Sequence, residues 1–372
     1  MALIKQEFTN LVRLKTNALS FAKTIFDWYE MHRRDLPWRN TRDPYLIWLS
    51  EIVLQQTRVN QGIGYYERLV KAYPDVLSLA TAKDDEVFKL WEGLGYYKRA
   101  LMMLGTAREI VNKHGGVFPD TAAGLQALKG IGGYTSAAVA SFAFGEAVIC
   151  VDGNVKRVAS RYFGIESLYG SAGFEAEVRK HLMQVFDCGN PALFNQAIME
   201  FGALQCKPKP ECSSCPFAGE CYAYGRGKQR TLPFKAEKKK VSTRYFNYFV
   251  LFSSDGKTLV KKRSGNDIWN GLFEFPMCET SNKFENHIPW PEGIGDISGD
   301  IIESVVFDAA PHKLTHRTIE ARFRVIRLKN DFNSMNLADY QVIDLTQLER
   351  IAMPRLLGRY IERIKLLGLG AG

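Results

Sequence analysis

The chain has 372 residues, with 49 Lys and Arg against 40 Asp and Glu, a net charge of +9 and a pI near 9.1. That length exceeds one ordinary hydrophobic core, so two domains are expected, and the basic excess favours an anionic partner such as nucleic acid without dictating a fold. Lys5, Glu7, Arg13, Lys15 and Lys23 interrupt any signal-peptide core, and the longest apolar run, 137–151, is broken by Glu146 and too short to span a bilayer. These features argue against secreted and membrane classes, and a cytoplasmic protein is expected.

Residues 8 to 225 read as helices. Phe21, Ile25, Trp28 and Tyr29 recur at helical spacing, and Tyr45 to Val59 repeats the pattern after the Asp43-Pro44 break. Glu51 lies in this second segment among the apolar Ile47, Trp48 and Leu54. A single helical Glu is more often exposed, but in such company a carboxyl can keep its proton near neutral pH. Val87, Leu90 and Trp91 form a further stripe, closed by Gly93 and Gly95. Gln55, Gln56, Tyr96 and Tyr97 offer side chains able to intercalate or read bases, although each taken singly is more often surface or core. Thr121 is positioned to cap a helix running to Leu128, and Thr135 to Phe144 forms the next helix.

Between those two helices lies Gly130-Ile131-Gly132, flanked by Lys129. Such a turn can bring backbone N–H groups to the start of a helix, which is an anion site suited to a phosphate. The alternative is a tight turn that only packs. Twenty residues past Gly132 stands Asp152, in Val151-Asp152-Gly153-Asn154. It is placed either to act beside that backbone grip or simply to cap the helix that follows.

Cys206, Cys212, Cys215 and Cys221 are spaced C-x5-C-x2-C-x5-C. Four thiols this dense call for a soft metal. Both zinc and an iron–sulfur cluster fit, with spacing alone slightly favouring zinc. Lys207 and Lys209 make the loop basic. Cys150, Cys188 and Cys278 read as buried or isolated thiols.

Residues 226–244 read as an exposed basic linker, with Glu237 as its only acid. After it, Tyr245 to Phe252, Lys257 to Lys261 (following the turn Ser254-Asp255-Gly256) and Ile319 to Leu328 alternate as strands, and Arg355 to Leu367 reads as a closing amphipathic helix. The expected organisation is a multidomain chain: an all-α domain at 1–225, the linker, and an α+β domain at 245–372.

The motifs Leu36-Pro37-Trp38-Arg39, Ser50-Glu51 through Gln55-Gln56-Thr57, Gly93-Leu94-Gly95-Tyr96-Tyr97, the hairpin with Tyr134, Val151-Asp152-Gly153-Asn154 and the four cysteines jointly resemble the MutY-type adenine DNA glycosylases of the helix-hairpin-helix superfamily. The resemblance covers 20–225 well and 245–365 more loosely. It implies a base-excision-repair enzyme that flips out adenine mispaired with 8-oxoguanine or guanine and hydrolyses its N-glycosidic bond. Glu51 would protonate adenine and then activate water. Asp152 would stabilise the cationic sugar, and Tyr134 and Asn154 would position both.

Further roles follow from the same resemblance. Trp38, Arg39, Leu54 and Gln196 would surround the adenine. Gln56, Thr57, Tyr96, Gly130 and Gly132 would contact DNA, and the cysteines would hold a 4Fe–4S cluster, although the first spacing is five residues where the family has six. Tyr134 stands where strand-cutting relatives of the endonuclease III type carry lysine, so a monofunctional glycosylase is expected. The C-terminal domain resembles a Nudix-like 8-oxoguanine recognition domain without the acidic catalytic box. The family's Phe-Ser-His motif appears as Leu314-Thr315-His316, which keeps a hydroxyl. A monomer bound to duplex DNA, in a bacterial cytoplasm at the nucleoid, is implied. A repair clamp would also suit the family, but the sequence carries no clamp-binding motif. The competing readings are a bifunctional glycosylase/lyase, a non-catalytic mismatch-binding protein and a Nudix hydrolase.

Overall fold

The computed structural model describes residues 20–187, 189–237, 241–265, 267–283, 288–333, 335, 337 and 339–369. Cys188 and the charged residues before Lys23 lie outside them. The chain divides into two compact units, Met1–Thr81 with Met102–Glu237, and Ala82–Leu101 with Lys238–Gly372. No helix among the described residues is long and apolar enough to cross a membrane.

The first unit is helical. Residues 20–32 form α1, followed by a 3-10 turn at Pro37–Arg39. Then come α2 (Pro44–Leu54), α3 (Val59–Ala72) and α4 (Val76–Thr81). The helix expected over Tyr45 to Val59 is therefore two helices. Gln56 adopts a φ of 55°, left-handed for a residue with a side chain, and ends the first. Helix α5 (Asp84–Trp91) and the first turn of α6 (Lys98–His114) belong to the second unit; the rest of α6, α7 (Ala122–Ala127) and α8 (Gly133–Phe144) continue the first. Thr121 caps α7 by accepting from the Gly124 N–H at 3.2 Å. Helix α8 is apolar nearly all round, as a helix buried on most sides must be, and packs against α2 and α7.

Next come α9 (Gly153–Phe163), α10 (Ala172–Met183), α11 (Pro191–Leu204) and the short α12 (Tyr222–Gly225). Their core gathers Phe21, Ile25, Trp28, Val155, Phe194 and Phe201, with Cys206 and Cys215 packed at its margin.

The second unit is a mixed sheet. Strand β1 (Ser242–Phe252) sits centrally, antiparallel to β2 (Lys257–Lys262) and parallel to β7 (Arg317–Leu328) over its full length. Strands β3 (Phe273–Glu274), β4 (Met277–Thr280), β5 (Ile301–Asp308), β6 (His312–Lys313) and β8 (Gln341–Asp344) complete it. The period of two along β1 feeds two cores: Phe246, Tyr248, Val250 and Phe252 point to one face, Phe249 and Leu251 to the other.

Three expectations change. The closing helix is broken into α13 (Arg355–Gly358) and α14 (Ile361–Leu369), and apolar residues of both, Leu356, Leu357, Ile361 and Ile364, join one core with β1 and β7. The exposed linker is shorter than 226–244. Leu232 and Pro233 are buried, Arg161 Nε donates to the Leu232 carbonyl at 3.0 Å, the Tyr169 N–H donates to the Phe234 carbonyl at 2.8 Å, and β1 already begins at Ser242. Residues 82–101, expected within the helical domain, group with the sheet unit, where Lys89 donates to Glu92 and the Ile351 carbonyl and Lys262 pairs with Asp85.

Candidate active site

Helix α2 runs between Asp43, which caps it by accepting from the Tyr45 N–H at 2.8 Å, and the turn at Gln56. One turn before its end it presents Glu51. With Ile47, Trp48 and Leu49 at the same level, Glu51 is only 9% exposed. Burial pushes its carboxyl up to about 7. A hydrogen bond from Tyr134 and the charge of Arg39 pull it back, while the nearby Asp152 charge pushes it further up.

Tyr134 comes from the first turn of α8. Its hydroxyl sits between the Glu51 carboxyl and Met199 Sδ, 3.8 Å away, and burial beside Glu51 and Asp152 holds it neutral. Asp152 caps α9. Its Oδ1 accepts from the Val155 N–H at 2.7 Å, and its Oδ2 from Asn154 Nδ2 at 2.8 Å. Burial raises its carboxyl, opposed by those hydrogen bonds and by Arg157. The two readings of Asp152, helix cap and chemical group, are thus compatible: one oxygen caps and the other faces Asn154.

Arg157, one turn along α9, donates to Asn154 Oδ1 at 2.8 Å, to the Gly202 carbonyl at 2.7 Å and to the Cys206 carbonyl at 2.8 Å. Sequence reasoning did not single it out, although its i+3 spacing from Asn154 was available. A second polar group was also missed. Glu200 on α11 is buried and accepts from both Arg34 and Arg39 in forked pairs of 2.6 to 2.9 Å. Burial alone would raise Glu200, but the two guanidiniums outweigh it and hold the carboxylate at about 2. Arg39 also lies over the Tyr29 ring, whose hydroxyl donates to Gln196 Oε1 at 2.9 Å. Trp38 is buried edge-on to Tyr66, and Leu54 is partly exposed. Glu51, Tyr134, Asp152 and Arg39 fall in one electrostatic neighbourhood, with Asn154 and Gln196 attached to it.

The glycine hairpin joins α7 to α8. Gly130 has a φ of 97°, and a Cβ there would meet Thr106 Oγ1 at 2.9 Å. That hydroxyl in turn donates to the Lys129 carbonyl at 2.6 Å. Gly132 precedes α8 with no side-chain cap and lies exposed, so the first N–H groups of that helix face outward. Gln56 is exposed and Thr57 partly so.

In the second unit Tyr96 is 47% exposed with a φ of 49°, and its hydroxyl is hydrogen-bonded to Thr315 Oγ1. Thr315 and His316 are the exposed tip of the β6–β7 turn, closed by the Leu314 N–H donating to the Arg317 carbonyl at 2.7 Å. Tyr97 is different. It is buried against Phe88, its oxygen accepting from the Gly93 N–H, so it is core rather than a base reader.

Cys206, Cys212, Cys215 and Cys221 line one pocket with the apolar Val158, Phe201 and Phe217, and none is in a disulfide. Arg161 Nη1 lies 3.4 Å from Cys206 Sγ. Among the described residues, no three His, Cys, Asp or Glu side chains are grouped as a site for a single metal ion.

The helical unit thus carries a glycine hairpin leading into the helix of Tyr134, with the buried Glu51 and the half-buried Asp152 nearby, and comparison with known proteins gives its class. The HhH-GPD superfamily base excision DNA repair protein family matches residues 49–185, and the NUDIX domain family matches 247–363. The adenine DNA glycosylase of Buchnera aphidicola (from Acyrthosiphon pisum) is 32% identical over 93% of this chain and 97% of its own length. That of Homo sapiens is 40% identical over 60% of this chain and 43% of its own. A solved thermostable thymine-DNA glycosylase superposes with a TM-score of 0.51 at 31% identity, over 57% of this chain and 98% of its own.

The chain belongs to the adenine DNA glycosylase family. It is a base-excision-repair enzyme that hydrolyses the N-glycosidic bond of adenine in DNA.

Proposed function

We propose that this glycosylase acts on adenine opposite 8-oxoguanine in duplex DNA, using Glu51 as the proton donor and Asp152 as the stabiliser of the cationic sugar. The observation that carries this reading is the state of Glu51: a buried carboxyl near pH 7 in value, hydrogen-bonded by Tyr134, with a second carboxyl close enough to raise it. Burial raises both carboxyls, but Asp152 accepts hydrogen bonds from Val155 and Asn154 that oppose the rise, and the two take different roles. Glu51 is the one that keeps its proton and gives it to N7 of the flipped base. Asp152, tied by Val155 and Asn154, remains the anion that faces positive charge developing at the sugar. Once deprotonated, Glu51 takes a proton from the attacking water, so the base leaves neutral and the sugar gains a hydroxyl. Trp38, Arg39, Leu54 and Gln196 surround the adenine, with Arg39 held by Glu200.

Gly130 and Gly132 present the hairpin to the phosphate backbone. Gln56, Thr57 and Tyr96 contact the opened stack, and Thr315 and His316 recognise 8-oxoguanine in the opposite strand. Tyr134 offers no amine for a Schiff base, which favours simple base removal over strand cleavage.

The four cysteines suit a 4Fe–4S cluster: they form an all-thiol donor set lining one pocket. When bound, the cluster would fix the loop at 206–221 and take no part in proton transfer.

Single-turnover assays on duplexes carrying adenine opposite 8-oxoguanine, guanine or thymine, developed with and without alkali, test the reading. Fast product only after alkali, and fastest opposite 8-oxoguanine, is expected. Strand breakage without alkali favours the endonuclease III-type alternative, and equal rates opposite all three bases overturn the proposed specificity.

A further inference from the structure

The cysteine pocket has a neighbour that neither its spacing nor the reaction accounts for. The Gln229 side chain lines the same pocket as the four thiols, and its Oε1 is buried with no hydrogen-bond partner. A polar atom left so costs about 1–3 kcal/mol, and in a pocket lined by four sulfurs that would be thiolates with a cluster bound, an acceptor oxygen is the less favourable of two orientations. A half-turn of the amide exchanges Oε1 for the Nε2 donor in the same space. The backbone around it is well held. The Lys228 N–H donates to the Ala223 carbonyl at 2.7 Å, the Leu232 N–H to the Lys228 carbonyl at 3.0 Å, and Arg161 secures the Leu232 carbonyl.

The sulfurs are unequally supplied with donors. Arg161 Nη1 lies 3.4 Å from Cys206 Sγ, and Cys221 Sγ lies 3.5 Å from the Arg161 carbonyl.

We propose that the Gln229 amide donates its N–H to a sulfur of the cluster bound by Cys206, Cys212, Cys215 and Cys221, and that this bond slows oxidative loss of the cluster and raises its reduction potential. The inference rests on the iron–sulfur reading above. An N–H bond to sulfur withdraws electron density and favours the more negative cluster state, so removing it makes oxidation easier.

The test uses the full-length protein, Gln229→Leu and Gln229→Glu, the second keeping the shape while exchanging donor for acceptor. Iron and sulfide content of the wild type is measured first, and a wild type without iron refutes the cofactor reading itself. Given a loaded wild type, both variants are expected to bleach in air roughly tenfold faster, with a lower midpoint potential and the larger shift in Gln229→Glu. Wild type labelled with ¹⁵N-glutamine should show a ¹⁵N coupling in pulsed EPR of the oxidised cluster that is lost in Gln229→Leu, since Gln205 lines the same pocket. The absence of any coupling in the wild type decides against the bond even where a variant fails to load. A loaded wild type with no such coupling, or loaded variants that bleach and titrate like it, would overturn the proposal.

Discussion

Arg157 Nη2 donates to Asn154 Oδ1 at 2.8 Å, while Asn154 in turn donates to Asp152 Oδ2 at 2.8 Å. The guanidinium is anchored on the far side by the Cys206 and Gly202 carbonyls. The orientation of the Asn154 amide, and through it of Asp152, is therefore set from outside the reaction centre. Replacing Arg157 with Gln should slow adenine excision about tenfold, the effect of losing roughly 1.4 kcal/mol of transition-state stabilisation, with duplex affinity nearly unchanged. Single-turnover rates and equilibrium binding measured side by side check this. An unchanged rate would mean that Asp152 needs no such support.

Tyr134 lowers the Glu51 carboxyl through its hydrogen bond, against a stronger upward push from burial. Tyr134→Phe removes that restraint, so the Glu51 value should rise. The alkaline limb of the pH–rate profile then moves to higher pH, while the maximal rate falls because the carboxyl is less well aimed. A limb that shifts downward would contradict the assigned bond.

Burial of Glu51 has a cost in stability whose sign follows from linkage. The folded value, about 7, lies above the ordinary 4.5. The protonated state is thus favoured by folding below pH 4.5, and that favour is lost as pH rises to 7, beyond which an ionised carboxyl sits buried. At about 1.36 kcal/mol per unit the loss approaches roughly 3 kcal/mol. Glu51→Gln should accordingly raise the melting temperature at pH 8, with the gain shrinking towards pH 5. Thermal melts of both proteins across that range measure it, and a gain independent of pH would point to packing instead.

At the hairpin, Gly130→Ala places a Cβ 2.9 Å from Thr106 Oγ1 on a backbone with φ of 97°. A loss of about 1–2 kcal/mol is expected, together with weaker and less salt-dependent duplex binding, since the outward N–H groups of α8 shift. Urea titration and binding at two salt concentrations test both parts.

Much of this was legible in the chain itself. The Thr121 cap, the glycine turn and the all-apolar α8 follow from local rules, and the alternation of Tyr245 to Phe252 gives both faces of β1. Asp152 as helix cap was equally visible. The Arg34–Glu200–Arg39 cluster was not, because its members lie 161 and 166 residues apart and only tertiary packing brings them together. The break after α2 was hidden for another reason. The apolar spacing runs on through Val59, and only the backbone at Gln56 ends the helix. Likewise Tyr97 and Tyr96 are adjacent in sequence, yet one is core and the other exposed, a difference that the turn at Gly93 and Gly95 imposes.

The central claim is that Glu51 enters the reaction protonated. The pH dependence of single-turnover adenine excision tests it most directly, measured for the wild type and for Glu51→Gln. The expected result is a rate that falls tenfold per unit above about pH 7, the value at which Glu51 ionises, and a variant slowed at least ~100-fold with that limb gone. A wild-type rate flat from pH 6 to 9, or a Gln variant that excises adenine at the wild-type rate, would contradict it.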